Sequence, residues 1–406
     1  MLPDKITVCS KCDLVVSFTH NVSNDTQFCP RCSNRIATIK KESPSNIAII
    51  SFSAIIFLLI SILQPFMSIS SLGLKSEMSL LSIITILERQ WGGLLYSFLF
   101  FTFFAPLYVL VTTFLVCGFN LKPNVIIGKL YSFCHKMCMV DVFVLGIIVS
   151  LIKLTSLADV SFYVGFYTTF IFSLLLMWVN LKFRPNNLWE LIKPQDKLDL
   201  EVGKNAKDLG YKCCHECGYV YKASSNEEHC PRCHQKNYFR KKDCISKSFC
   251  LLLSALILYL PSNLYPVMYT DFMFSSIGSN IIDGVVAMWD MKSYFVAIVI
   301  LVASIFIPAF KIISLAYIIW ISKNKDEYNK LNVSRLYRIV LFIGRWSLID
   351  VYVVIIMSSV VRIGSILSIY PGFAIVCFCS VVIITLFSAE AFDERLIWDK
   401  KIHGTE

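Results

Sequence analysis

Charge is scarce in this sequence. Only 16% of its 406 residues are Asp, Glu, Lys or Arg, where a soluble domain carries about 25%. Histidine is scarcer still, with six in all, and His20, His215, His229, His234 and His403 fall in polar stretches. A membrane haem protein would set ligating histidines inside its apolar runs, so that class has little support. There is no Gly-rich phosphate loop, no HExxH pair and no Ser/His/Asp set tied to a motif. The chain therefore encodes no energy-coupling ATPase, and nothing in it marks an enzyme. A cleavable signal peptide is not expected either. The first 45 residues are polar and cysteine-bearing, and the first long apolar run starts only near Asn46.

Apolar sequence is what the chain has in abundance. Hydrophobic residues make up 56%, and several runs exceed the roughly 20 residues that cross a bilayer. The reading is an α-helical polytopic membrane protein. A net charge of +10 could suggest nucleic acid. The basic residues, however, are spread over loops beside the apolar runs, which is the pattern of membrane orientation and head-group contact, so no nucleic-acid partner is expected.

Eight of the 16 cysteines form four Cys-x-x-Cys pairs. Cys9 and Cys12 precede Cys29 and Cys32 with 16 residues between the pairs; Cys214 and Cys217 precede Cys230 and Cys233 with 12 between. Two tight bends bearing four thiolates supply a tetrahedral all-sulfur site, suited to zinc or iron. Paired knuckles favour metal in a reducing compartment over a disulfide framework. Connectors this short suit a zinc ribbon, and the expectation is two structural zinc ions per chain, each substituting for a core too small to fold alone. A rubredoxin-like iron is the alternative, invited by "CGYVY" after Cys217. Cys213 and His215 are spare ligand types beside the second cluster. Cys134 and Cys138, at helical i,i+4 spacing, read as packing residues.

The order of motifs occurs twice. Each four-cysteine ribbon is followed by an apolar run ending in proline, "LQPFM" at Pro65 and "LYPVM" at Pro266. A short segment ending at Trp91 or Trp289 follows, then a long run with a late proline, Pro106 or Pro308. "MVDVFVLGIIVSLIKL" answers "LIDVYVVIIMSSVVRI", setting Asp141 against Asp350 and Lys153 against Arg362. "YVGF" answers "YPGF", and the exits read "FRPNNLWE" and "FDERLIWD". The expected organisation is two tandem parallel repeats: ribbon 1–45, four helices in 46–195, ribbon 196–245, four helices in 246–406. Spans are expected near 46–68, 92–117, 136–156, 161–182, 246–268, 292–321, 339–363 and 369–391. Most Lys and Arg lie in the termini, the ribbons and the linkers on one side, which places both termini and both ribbons in the cytoplasm. Ser76–Gln90 and Ser276–Trp289 are too short and mixed to span, and read as interfacial helices or loops on the opposite face.

Ionisable groups at membrane depth are costly and tend to be functional. Asp141, Lys153, Asp350 and Arg362 are the candidates, because the motif repeats them. Asp141 and Lys153 stand 12 residues apart, about 18 Å along a helix, so they cannot pair with each other. Lys311, His135 and Arg345 are possible partners. The blander readings are snorkelling for the basic pair and helix-packing glue for the acidic one. Lys311 has no counterpart in the first half, where Leu107-Tyr108-Val109 stands against Ala309-Phe310-Lys311. "LPSNLYP" puts Ser262 and Asn263 beside two prolines, where a broken helix lining a polar pocket is plausible.

The four Cys-x-x-Cys pairs, the "LQPFM" and "LYPVM" helix ends, the two D-V-[FY] spans and "FDERLIWD" together resemble the paraquat-inducible protein A family of Gram-negative inner membranes. The resemblance covers nearly the whole chain. It implies a role in phospholipid traffic between inner and outer membranes, beside a partner whose mammalian-cell-entry (MCE) domains form a periplasmic tunnel. Two other readings stay open: a membrane redox protein passing electrons from iron centres to quinone, and a metal-binding scaffold.

Overall fold

The computed structural model describes residues 5–18, 26–38, 42–71, 74–79, 82–85, 92–154, 159–198, 200–223, 228–272, 275–324, 328–360, 362–363 and 367–399. Trp91 lies outside them, as do the side chains of Lys153, Arg345, Asp350 and Arg362. The described chain is mostly helical. Seven of its helical stretches are long and apolar enough to cross a membrane: Pro44–Leu63, Gly93–Phe119, Val125–Leu151 (taken through a break at Cys138-Met139), Val164–Lys182, Cys244–Leu264, Ala297–Lys323 and Phe373–Ala391.

The first ribbon is two hairpins, β1 (Lys5–Val8) with β2 (Val15–Phe18) and β3 (Thr26–Phe28) with β4 (Arg35–Thr38). Helix α1 (Pro44–Leu63) starts where the Ser43 side chain accepts from the Asn46 amide, and Pro44 occupies a first-turn position that needs no N–H. It ends at Leu63, because Pro65 opens a strand. That strand, β5 (Pro65–Ser71), pairs with β6 (Leu74–Ser79) and with the distant β7 (Asp159–Phe162). Helix α2 (92–119) contains a π-helical turn at Phe100–Phe104. Pro106 lacks an N–H and crowds the carbonyl of Thr102, four residues back, and the widened turn absorbs the mismatch.

Helices α3 (Val125–Met137) and α4 (Val140–Leu154) meet at a break, Cys138-Met139. Helix α5 (Val164–Lys182) then leads through α6 (Pro185–Ile192) to the second ribbon, with strands β8 (Tyr211–Cys213) and β9 (Val220–Lys222).

The remainder runs α7 (Cys244–Leu264), β10 (Met268–Phe272), β11 (Ser275–Ser279), α8 (Ile281–Asp290), α9 (294–324), α10 (Lys330–Trp346), α11 (Ile349–Val360), β12 (Arg362–Ile363), β13 (Leu367–Pro371) and α12 (Phe373–Ala391). Helix α9 carries its own π-helical turn at Val302–Phe306, just before Pro308. Four strands form one sheet in the order β11-β10-β13-β12.

Three expectations need correction. The 339–363 span is two helices, α10 and α11, meeting at Ser347-Leu348. Helix α10 is amphipathic, with Arg335, Arg338 and Arg345 on its length, and α11 has 12 residues, about 18 Å against a hydrocarbon core of about 30 Å. The described parts of the segments read as interfacial helices or loops include strands β6 and β11 with short helices after them. Arg362 therefore sits in a strand paired with Ser368, not at a helix end. Finally, α7 runs unbroken through Pro261 to Leu264. Ser262 and Asn263 both donate back to the Tyr259 carbonyl, so the chain breaks only after them.

The paired motifs meet in space. A Cβ on Gly165 of "YVGF" would lie 2.6 Å from the carbonyl oxygen of Pro65 in "LQPFM", and one on Gly372 would strike the carbonyl of Pro266. Glycine at these two positions lets α5 and α12 start against the ends of α1 and α7. Between the halves, α4 crosses α11 where a Gly146 Cβ would come within 2.9 Å of the Tyr352 Cβ, and Phe98, Phe143 and Tyr352 form an edge-to-face cluster there.

Candidate functional site: two thiolate clusters and a cleft at a broken helix

All four Cys-x-x-Cys bends fold alike. The amide of the first cysteine in each bend donates to a carbonyl five residues on: Cys9 to Leu14 at 2.9 Å, Cys29 to Asn34 at 2.8 Å, Cys214 to Tyr219 at 2.9 Å and Cys230 to Gln235 at 2.9 Å. The residue after the second cysteine donates back to the first, and it is left-handed every time: Asp13, Ser33, Gly218 and His234. Only one of the four is glycine, so the bend overrides the local preference three times.

These bends bring the sulfurs together in two groups, Cys9, Cys12, Cys29, Cys32 and Cys214, Cys217, Cys230, Cys233, each with its ligand atoms within 4.8 Å of one another and all buried. Cross-bend Sγ separations are 3.5 and 3.6 Å in the first group and 3.6 Å twice in the second. Disulfides would need about 2.05 Å. A tetrahedral ion with metal–sulfur bonds of about 2.3 Å would set its ligands about 3.8 Å apart, which these groups fit closely. Four thiolates close the coordination sphere and leave no position for a substrate. The spare ligand types stay outside. His215 turns Nδ1 towards Asp393 at 3.8 Å, and the Cys213 thiol, raised by burial, points at the Gly218 carbonyl.

Sequence reasoning missed how the ribbons are seated. The second ribbon packs on Trp189 and Ile192 of α6 and Val125 of α3, and the Trp189 indole donates to Ser132 at 3.0 Å. The first packs on α9, α10 and the 3₁₀ turn Glu394–Trp398 that follows α12. The run "FDERLIWD" supplies the joint. Arg395, almost wholly buried, donates to the Ser10 carbonyl at 3.0 Å and the Cys213 carbonyl at 3.1 Å, one in each ribbon. Glu394 takes Lys11 at 3.3 Å and the Ser334 hydroxyl at 2.6 Å. Asp399 holds Arg240 through two bonds of 2.6 and 3.0 Å, and Arg240 also reaches Asp13 at 3.2 Å. Burial raises the Asp393 carboxyl, but Arg395, His215 and the Lys241 and Arg395 amides outweigh it and hold it below its ordinary value. The signal was a dense charge run immediately after an apolar span.

The intramembrane candidates are dispersed. Asp141 is exposed in the first turn of α4, where a carboxylate suits the helix dipole. It lines a cleft of about 400 Å³ with His135, Asn180 and Arg184. Lys311 is 1% exposed, and its Nζ has no hydrogen-bond partner among the described residues. It lies 3.0 Å from where a Cβ on Gly344 would be, with Leu386 beside it. Asp350 occupies the first turn of α11 and Lys153 the last turn of α4. Among the described residues no ion pair joins Asp141 to Lys311.

The sequence profile described as Paraquat-inducible protein A matches residues 45–193 and 245–401. The chain is 32% identical over 403 residues to the intermembrane transport protein PqiA of Escherichia coli, covering 98% of this chain and 96% of that one. It is 27% identical over 403 residues to the lipophilic envelope-spanning tunnel protein A of the same organism, covering 98% and 92%. A probable intermembrane transport protein of Haemophilus influenzae is 28% identical over 420 residues, covering 100% and 98%. No solved structure matches the chain. The apolar helices, the two thiolate clusters and these full-length similarities agree: the chain belongs to the paraquat-inducible protein A family.

Proposed function

We propose that this protein is the inner-membrane subunit of an intermembrane phospholipid transport system, loading or unloading lipid at a periplasmic MCE-domain tunnel. The observation that carries the reading is full-length similarity to proteins named for intermembrane transport. The seven apolar helical stretches and a cleft with a polar mouth and apolar wall support it. On this reading the membrane part is a tandem duplication. Both ribbons and both termini face the cytoplasm, and the two strand-bearing ends face the periplasm, where a tunnel would dock. Each ribbon holds one zinc ion through its four cysteines, and that ion fixes the shape of the lobe. Asp141, Asp350 and Lys311 are the groups that would couple lipid movement to a proton gradient, since the sequence carries no Gly-rich phosphate loop.

Co-purification tests the assignment. An MCE-domain protein and phospholipid should travel with the full chain extracted in mild detergent, and the absence of both would leave the scaffold reading. The absorption spectrum separates zinc from iron, because zinc thiolates are colourless in the visible range.

A further inference from the structure

The cleft beside Asp141 has a chemical asymmetry that points to one kind of ligand. It opens where α3 breaks from α4, and its long wall is a single stripe of α5. Ser173, Leu176, Met177, Asn180 and Leu181 recur at helical spacing and lead to Arg184 at the mouth. From Ser173 to Leu181 the stripe runs about 12 Å along the axis. Its mouth carries a guanidinium, an imidazole, a carboxylate and an amide, and its far end is mostly apolar. A volume of about 400 Å³ is within the usual range for small-ligand sites.

The polar groups divide by what they can bind. Arg184 and His135 offer donors to an anion. Burial and the neighbouring Arg35 guanidinium pull the Arg184 guanidinium below its ordinary value, so an anion there would relieve two like charges. Asp141 and Asn180 offer acceptors. Asn180 spends its amide N–H on the Cys138 sulfur, 3.9 Å away, and its buried Oδ1 has no partner among the described residues. An orphaned acceptor in the same cleft as a carboxylate that makes no ion pair among the described residues is a place for an N–H cation.

The second half closes the matching position. In the correspondence that sets Asp141 against Asp350, His135 falls against Gly344 and, through the late prolines, Val109 against Lys311. Lys311 reaches over Gly344 into the space that α12 and α10 bound, so the protein's own side-chain amine occupies it. In the first half Val109 is buried in the core, and the space stays open.

We propose that the His135–Asp141–Asn180–Arg184 cleft binds the headgroup of a phospholipid bearing a primary amine. Arg184 and His135 hold the phosphodiester, Asp141 and Asn180 hold the ammonium, and an acyl chain follows the Leu176, Met177 and Leu181 stripe. A choline headgroup has no N–H and would leave the Asn180 acceptor orphaned. The proposal rests on the transport reading for the lipid's later fate, whereas its test measures binding alone.

The full-length protein, stripped of lipid and exposed to vesicles of equimolar phosphatidylethanolamine, phosphatidylcholine and phosphatidylglycerol, should retain the ethanolamine lipid about tenfold over the choline lipid, as one charged hydrogen bond is worth. Asp141→Asn and Asn180→Leu should each reduce that preference towards parity, and Arg184→Gln should lower retention of all three. Bound metal and melting temperature show which variants are folded, and a photocrosslinker at Met177 reads occupancy without touching the polar groups. Equal retention of ethanolamine and choline lipids, or an unchanged preference in both Asp141→Asn and Asn180→Leu, overturns the proposal. Competition by water-soluble glycerophosphoethanolamine as strong as by the lipid overturns the lipid assignment. A selective cleft in a protein that moves no lipid would instead defeat the transport reading and leave this one standing.

Discussion

The two ribbons share one bend geometry and one motif, Cys-Pro-Arg-Cys, but they use its arginine differently. In the second ribbon Arg232 is turned inward. Its guanidinium stacks on Tyr219, 4.5 Å from the ring centroid, and donates to the Cys217 carbonyl. In the first ribbon Arg31 is turned outward. It lies 5.0 Å over Trp398 and donates to Asn205 at 2.6 Å. One arginine stays within its own lobe, which rests on Trp189; the other reaches out of its lobe, to Asn205 and to Trp398 near the far end of the chain. A motif position thus fixes the presence of a cation and leaves its employment to the surroundings.

Metal removal should give the largest effect and erase the comparison, since a structural zinc contributes about 10 kcal/mol or more to folding its lobe. Cys230→Ser should reduce metal content from two ions per chain to one and unfold only the second lobe, and Cys12→Ser should do the same for the first. Elemental analysis with limited proteolysis of each variant would show it. Next in size is the shared joint. Arg395→Met should cost both lobes their seating, because it strips a buried cation from the Ser10 and Cys213 carbonyls beside Asp393 and Asp13; loss of one buried partner costs about 3–5 kcal/mol. Both lobes should then show faster hydrogen exchange.

Trp189→Ala separates them. A buried tryptophan removed from a core costs about 3–5 kcal/mol, and here the loosening should be confined to the second lobe. The smallest effect belongs to Arg31→Ala, about 1–2 kcal/mol for a half-buried cation–π pair and a hydrogen bond. It should loosen the first lobe alone, as read by hydrogen exchange at residues 29–38. If Arg31→Ala loosened both lobes equally, the contrast between the two arginines would be lost.

What the sequence made legible was local. Cysteine spacing gave both clusters, and apolar runs gave six of the expected spans as single helices, because in each case the partners lie within one stretch of chain. The sheets were not legible. β5 reaches β7 across the whole of α2, α3 and α4, and no pattern in "PFMSISS" names a partner that far off. The broken 339–363 span hid for another reason: an amphipathic helix and a short apolar one abut with only two residues between them, so hydropathy averages across the join. Asp141 was singled out as a membrane charge. Its exposure in a cleft depends on where α3 ends, and Arg184 and Asn180 were invisible until α5 and that break were set side by side.

The contact between Arg395 and Ser10 spans 385 residues, and it sets an order of assembly. At about 5–20 residues per second, roughly 20–80 seconds separate the synthesis of the two. The first lobe is therefore made well before the turn that bonds to it. Helices α9 and α10 supply part of its seat, and the Glu394–Trp398 turn, made after them, completes it.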